Sequence, residues 1–137
     1  MSVTAEFINQ EIGDIWPASA FRCDEVSSVH ARASCVLSAG NLRPGNLVSG
    51  PKQFEIADCA LWYLVFGVID RIEVMSVTSE LSIRFLRPCT GEVLNAEATL
   101  DKGGKRSIVG TIRVWTDDNR ANPSATAQGT YVVPIAR

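Results

Sequence analysis

The sequence is poor in the residues that mark several large functional classes. It holds one histidine, His30. A multi-histidine metal centre is therefore excluded, and a Ser-His-Asp arrangement would have to use that single residue. His30 sits in SSVHARASCVL, a strand-like stretch remote from any candidate nucleophile, and reads as structural. The cysteines, at 23, 35, 59 and 89, contain no Cys-x-x-Cys pair and no zinc-ligand spacing. All four are expected as thiols, most of them buried as small hydrophobes. Long apolar runs are missing: the longest, from Cys59 to Phe66, has eight residues, against the roughly 20 of a membrane-crossing helix. An excess of one charge is missing too. Thirteen basic side chains are scattered among 15 acidic ones for a net charge of −2, so the basic stripe of a nucleic-acid binder is absent. The opening residues, MSVTAEFINQEIGD, lack the basic start and apolar stretch of a secretory signal, and a cytoplasmic location is expected. There is no internal repeat and no low-complexity segment.

What is present suits one globular domain over residues 1–137. Hydrophobic residues make up 46% and charged residues 20%, close to the soluble average, and a second domain of ordinary size would not fit. Residues 3–15 read as a helix, with Phe7, Ile8, Ile12 and Ile15 near one face, Thr4 as a cap and Gly13 and Pro17 at its end. Phe21 to Leu37 is strand-like with a break at Ser27-Ser28. Residues 39–46, AGNLRPGN, form a loop.

Residues 49–70 are too long for one strand. Ser49 or Gly50 can cap a helix there, and Pro51 suits its first turn. From Phe54 to Ile69, 13 of 16 residues are apolar, leaving no broad polar face. Such a helix is surrounded by protein. The wrapper follows in four strands: 78–86, 93–100, 108–115 and 126–133. The first two alternate apolar and polar residues, and Asp101-Lys102-Gly103-Gly104 signals a hairpin turn. The close links predict an antiparallel meander. The fold class is α+β, a curved antiparallel sheet wrapped around one long central helix.

Residues 43–58 carry the candidate chemistry. Asp58 is an ionisable group inside the apolar part of the central helix, where an unpartnered carboxylate is costly. Two turns earlier, Ser49-Gly50-Pro51 begins the helix. The free N–H groups and positive dipole end there stabilise developing negative charge, and glycine admits close approach to the backbone. Gly50 and Asp58 stand about 12 Å apart along one helix, too far to meet on one substrate atom. Antiparallel helices in a two-fold dimer would bring one helix start to the other's acid. Asp58 as a backbone cap, or on a polar stripe with Glu55, is the alternative.

RPGNLVSGPKQFEIAD, followed by VTSELSIRFLRP and GTYVVP, resembles the hotdog-fold acyl-CoA thioesterases of the phenylacetate-degradation (PaaI-like) type over residues 20–134. The family opens its central helix with Asn-x5-His-Gly-Gly and places an Asp or Glu eight residues beyond the first glycine. Gly50 matches that glycine and Asp58 that acid. The resemblance implies that the Gly50 N–H polarises the thioester carbonyl. Asp58 from the opposite protomer then acts as general base or nucleophile, and Thr78 helps place the water. The family His, second Gly and Asn positions hold Ser49, Pro51 and Arg43, as in a subgroup reading Arg-Pro-Gly-x-x-x-Ser-Gly-Pro. Ser49 offers a hydroxyl. Arg43 could pair with the partner's acid or bind substrate, and Gln53 could touch substrate or only water. Lys105 and Arg106 flank the Gly-Gly turn, where the nucleotide phosphates of coenzyme A could meet them; solvated turn residues are the alternative. Trp62 and Tyr63 could line an acyl pocket or pack in the core.

The implied activity is hydrolysis of an acyl-CoA thioester to acid and thiol by a homodimer or homotetramer. It needs no metal and no cofactor beyond the coenzyme A of the substrate. A non-catalytic acyl-thioester-binding or assembly protein on the same fold is the rival reading.

Overall fold

The structure, a computed structural model, describes residues 2–135. Helix α1 spans Ala5–Ile15. Thr4 caps it, its hydroxyl oxygen accepting the Phe7 N–H at 3.1 Å. Ile8 and Ile12 are buried, whereas Phe7 and Ile15 stay exposed. The apolar stripe is thus narrower than the four residues suggested, because only the i, i+4 pair points inward. Asn9 fixes α1 to the sheet: its amide donates to the Cys23 carbonyl and its oxygen accepts the Cys23 N–H, both at 2.8 Å.

Strands β1 (Arg22–Val26) and β2 (His30–Val36) form a hairpin. Its turn is held by the Ser27 hydroxyl, which accepts from the Val29 and His30 N–H groups. Residues 39–46 contain a 3-10 turn and part of a small ladder of β3 (Leu42–Arg43) with β4 (Leu47–Val48). Helix α2 then runs from Gly50 to Ile69, about 30 Å. Ser49 is its N-cap, accepting the Lys52 N–H at 3.2 Å, and Pro51 occupies the first turn. The helix ends at Asp70 in the left-handed region, φ +57°. The Asp70 carboxylate accepts the Val3 N–H at 2.8 Å and ties the chain start to the helix end.

Strands β5 (Val77–Phe85), β6 (Val93–Gly103), β7 (Ser107–Thr116) and β8 (Ala125–Val132) follow. The six long strands form one antiparallel sheet in the order β1-β2-β6-β7-β8-β5. Helix α2 packs against every one of them, so the sheet wraps the helix as the sequence pattern predicts. Two small residues make this close. Gly110 and Gly129 face each other across β7 and β8, and a Cβ on either would press on Leu61 of the helix, at 2.8 and 3.0 Å.

Two expectations need correction. The four C-terminal strands are not one meander: β6, β7 and β8 are, but β5 lies beyond β8 at the far edge and β6 pairs with β2. Alternation specifies faces, not neighbours. The turn predicted at residues 101–104 also lies largely within β6, which runs to Gly103. A register shift between Leu100 and Lys102 accommodates the extra residue, and Asp101 accepts the Thr111 hydroxyl at 2.6 Å. The turn proper closes where the Gly104 N–H donates to the Ser107 carbonyl.

Candidate active site

Asp58 emerges on the part of α2 that the sheet leaves uncovered. Its side chain is partly buried, in a pocket of about 300 Å³ bounded by α2, the start of β5 and the end of α1. Thr78, the second residue of β5, donates its hydroxyl to Asp58 Oδ1 at 2.6 Å. The Tyr131 hydroxyl of β8 reaches the Asp58 carbonyl at 3.4 Å. Oδ2 has no partner among the described residues. Asp58 therefore shares no solvated stripe with Glu55, which is exposed and paired with Lys52.

Three further groups line this pocket without having been singled out in the sequence. Ser76 is 5% exposed, and its hydroxyl has no partner among the described residues. Its place two residues before Thr78, on the same side by strand periodicity, was the available signal. Tyr131 is held as a neutral hydroxyl by burial, reinforced by the Asp58 charge. Trp16, the C-cap of α1, closes one side. Trp62 also lines the pocket, whereas its neighbour Tyr63 is a core residue. Cys59 lies beside Asp58. Burial is the main cause that pushes its thiol up to about 12, so at neutral pH it is no thiolate nucleophile.

Gly50 is the first residue of α2. Among the described residues no acceptor engages its N–H. The Phe85 ring lies against it: a Cβ at position 50 would stand 3.2 Å from Phe85 Cζ. Ser49 uses its oxygen to cap the helix. Arg43 is exposed, and its guanidinium makes no hydrogen bond or ion pair with the described residues. Gln53 is a core residue, 4% exposed. Its amide donates to the Val48 carbonyl at 3.3 Å, and its oxygen accepts the Ser124 hydroxyl at 2.8 Å. It does not reach the pocket.

Lys105 and Arg106 lie at the opposite end of α2 from Gly50. With Arg71 they rim an apolar-floored cleft of about 560 Å³. His30 is on β2, 3.0 Å from Glu97 and 3.7 Å from Glu25, away from Asp58, in keeping with a structural role. The four cysteines are free thiols, three of them buried. No helix among the described residues is long and apolar enough to cross a membrane.

A sequence profile describing the thioesterase superfamily matches residues 45–122, the stretch from the loop before α2 through β7. No curated protein matches the chain. Solved structures resemble it over nearly their whole length. A protein of Silicibacter sp. TM1040, provisionally named a thioesterase, is 27% identical, with 96% of this chain and 92% of that one covered and a TM-score of 0.83. A thioesterase of Haemophilus influenzae is 16% identical over 98% and 92%, with a TM-score of 0.81. The PaaI protein of E. coli, from the phenylacetic acid degradation operon, is 20% identical over 96% and 92%, with a TM-score of 0.76. The sheet wrapped around one long helix is the hotdog fold of these neighbours, and by the match over more than half its length the chain belongs to the thioesterase superfamily.

Proposed function

We propose that the protein hydrolyses acyl-CoA thioesters at a site shared between two protomers. The observation that carries this reading is the position of Asp58: in a pocket, oriented by Thr78, with one carboxylate oxygen free. The same strand touches both halves of the chemistry. Thr78 near its start holds the acid, and Phe85 at its end lies on Gly50. Among the described residues this strand, β5, pairs only with β8 and leaves its other edge open. Val77 and Phe85 on it are 58% and 51% exposed. An open edge bearing apolar side chains calls for a partner. If two β5 edges pair antiparallel about Leu81, residue 78 of each lies opposite residue 84 of the other. The acid of one chain then meets the helix start of its twin, across the gap that one helix alone cannot close.

In that arrangement Asp58 takes a proton from water. The water oxygen adds to the thioester carbonyl, whose developing oxyanion accepts the Gly50 N–H. The C–S bond breaks, and the thiolate recovers the proton. Ser76 has a hydroxyl without a partner among the described residues and is suited to hold the water. Arg43 and Ser49 flank the helix start and are candidates to contact substrate. Lys105, Arg106 and Arg71 are candidates for the nucleotide phosphates. A dimer is the minimum assembly; a tetramer is compatible with it.

The test is hydrolysis of an acyl-CoA panel by wild type and Asp58→Asn. Loss of turnover in the variant supports the reading, and unchanged turnover rejects it. The engagement of Ser49 as a cap favours one rival, an acyl-thioester-binding protein without turnover. Calorimetric binding of acyl-CoA with no hydrolysis by wild type would select it.

A further inference from the structure

Two indole rings bound the apolar end of the Asp58 pocket. Trp62 stands four residues beyond Asp58 on α2, one turn along the same face and about 6 Å up the axis. It cannot recede, because Phe66 packs edge-on at 5.0 Å between centroids and Tyr63 stacks at 6.2 Å. Trp16 meets Trp62 at 6.4 Å with the planes 68° apart, so the rings form a corner. The Trp16 backbone is pinned on both sides: its N–H donates to Ile12 at 2.7 Å, and its carbonyl accepts from Ser19 at 3.0 Å. Through Asn9 and the buried Ile8 and Ile12, all of α1 is fixed to the body of the protein. Yet the Trp16 side chain is 52% exposed. An indole held this firmly at a pocket rim, with half its surface uncovered, is a surface built to meet an apolar ligand.

We propose that Trp16 is the specificity-determining residue of the site. With Trp62 it forms an end wall that restricts the acyl group to short, compact chains. This rests on the acyl-thioester reading of Asp58. Asp58, with Ser76 and Thr78 beside it, marks where the water meets the thioester carbon, and the acyl chain points to the indoles. Because Trp62 follows Asp58 by one helical turn, about 6 Å along the axis, the wall meets an acyl chain within its first few carbons. Trp62 lies within residues 45–122 and Trp16 outside them, so one of the two indoles of the wall comes from a segment beyond the matched family core.

The experiment compares wild type, Trp16→Ala and Trp16→Phe. It measures calorimetric affinity for inert S-alkyl-CoA thioethers from ethyl to dodecyl and kcat/KM for the matching acyl-CoA esters. Wild type is expected to favour butyl over decyl. Trp16→Ala is expected to raise the decyl-to-butyl ratio by about tenfold or more, and Trp16→Phe to keep most of the wild-type preference. A wild type that takes decyl as well as butyl, or a Trp16→Ala protein with an unchanged length profile, overturns the wall. Graded thioether binding without any turnover supports the wall while sinking the hydrolase reading. Asp58-dependent turnover with a flat length profile sinks the wall alone. Absence of any thioether binding overturns both.

Discussion

Gly50→Ala separates catalysis from stability at the helix start. The added Cβ would stand 3.2 Å from Phe85 Cζ, 3.6 Å from Cε1 and 3.7 Å from Cε2. Those atoms are the free end of a half-exposed side chain, so the ring yields by a few tenths of an ångström. An off-rotamer displacement of that kind costs about 0.5–1.5 kcal/mol. Replacing glycine by alanine where the backbone is already helical returns about 0.4–1 kcal/mol through the unfolded chain. The two nearly cancel, and the melting temperature should move by only a few degrees. Turnover should respond otherwise. The methyl group crowds the amide that has to meet the substrate carbonyl, and a lost oxyanion donor is worth about 3 kcal/mol, or about 100-fold in kcat. Thermal unfolding and steady-state kinetics on one acyl-CoA read both quantities. In a Phe85→Ala background, the same Gly50→Ala change should cost less, because the clash has gone. Wild-type kcat in Gly50→Ala, or a loss of activity matched by a large fall in melting temperature, would refute the assignment of Gly50 as the donor.

Thr78→Val removes the hydroxyl that donates to Asp58. At this solvent-exposed position we expect about a fivefold to tenfold fall in kcat, about 1 kcal/mol, restored by Thr78→Ser and checked by steady-state kinetics. Gln53→Ala removes the amide that donates to the Val48 carbonyl and the oxygen that accepts the buried Ser124 hydroxyl, leaving that hydroxyl only a long 3.4 Å bond to the Val114 carbonyl. It should lower unfolding stability by about 1–3 kcal/mol in a denaturant titration, with kcat of the folded enzyme unchanged. Burial, followed by the neighbouring Asp24 charge, pushes the Cys23 thiol up from 9.0 to about 12. The unfolded chain therefore loses this proton at lower pH than the fold does, and stability falls as pH rises from 9 toward 12. About 2–3 kcal/mol should be lost between pH 9 and 11, and a Cys23→Ala protein should lack this component in denaturant titrations across that range.

The central helix was legible because its signals agree. Ser49 and Pro51 mark a start, and apolar residues over most of its circumference demand a protein wrapper. Strand faces were legible for the same local reason, since alternation is written residue by residue. The neighbour order was not. Nothing in VTSELSIRF says that β5 crosses to the far side of β8, because pairing partners are chosen by the whole sheet. The hairpin turn went astray at Asp101 because a bulge and a turn share the same residue preferences. Asp58 stood out because a charge inside an apolar helix is costly wherever it lies. Gln53 did not reveal itself as a core residue, because its partner Ser124 is 71 residues away. Trp16 enters the pocket only through the path of the chain around α2, which no local pattern encodes, whereas Ser76 was within reach of a local reading through its place two residues before Thr78.

Mixing two inactive proteins tests the shared site most directly. Gly50→Pro deletes the amide donor at a helix position that tolerates proline, and Asp58→Asn deletes the base. Each protein alone should be inactive. When they are coexpressed, a mixed dimer places both defects in one site and leaves the other intact. Random assortment then restores about a quarter of wild-type activity. If acid and glycine act within one chain, every site carries a defect and the mixture stays inactive.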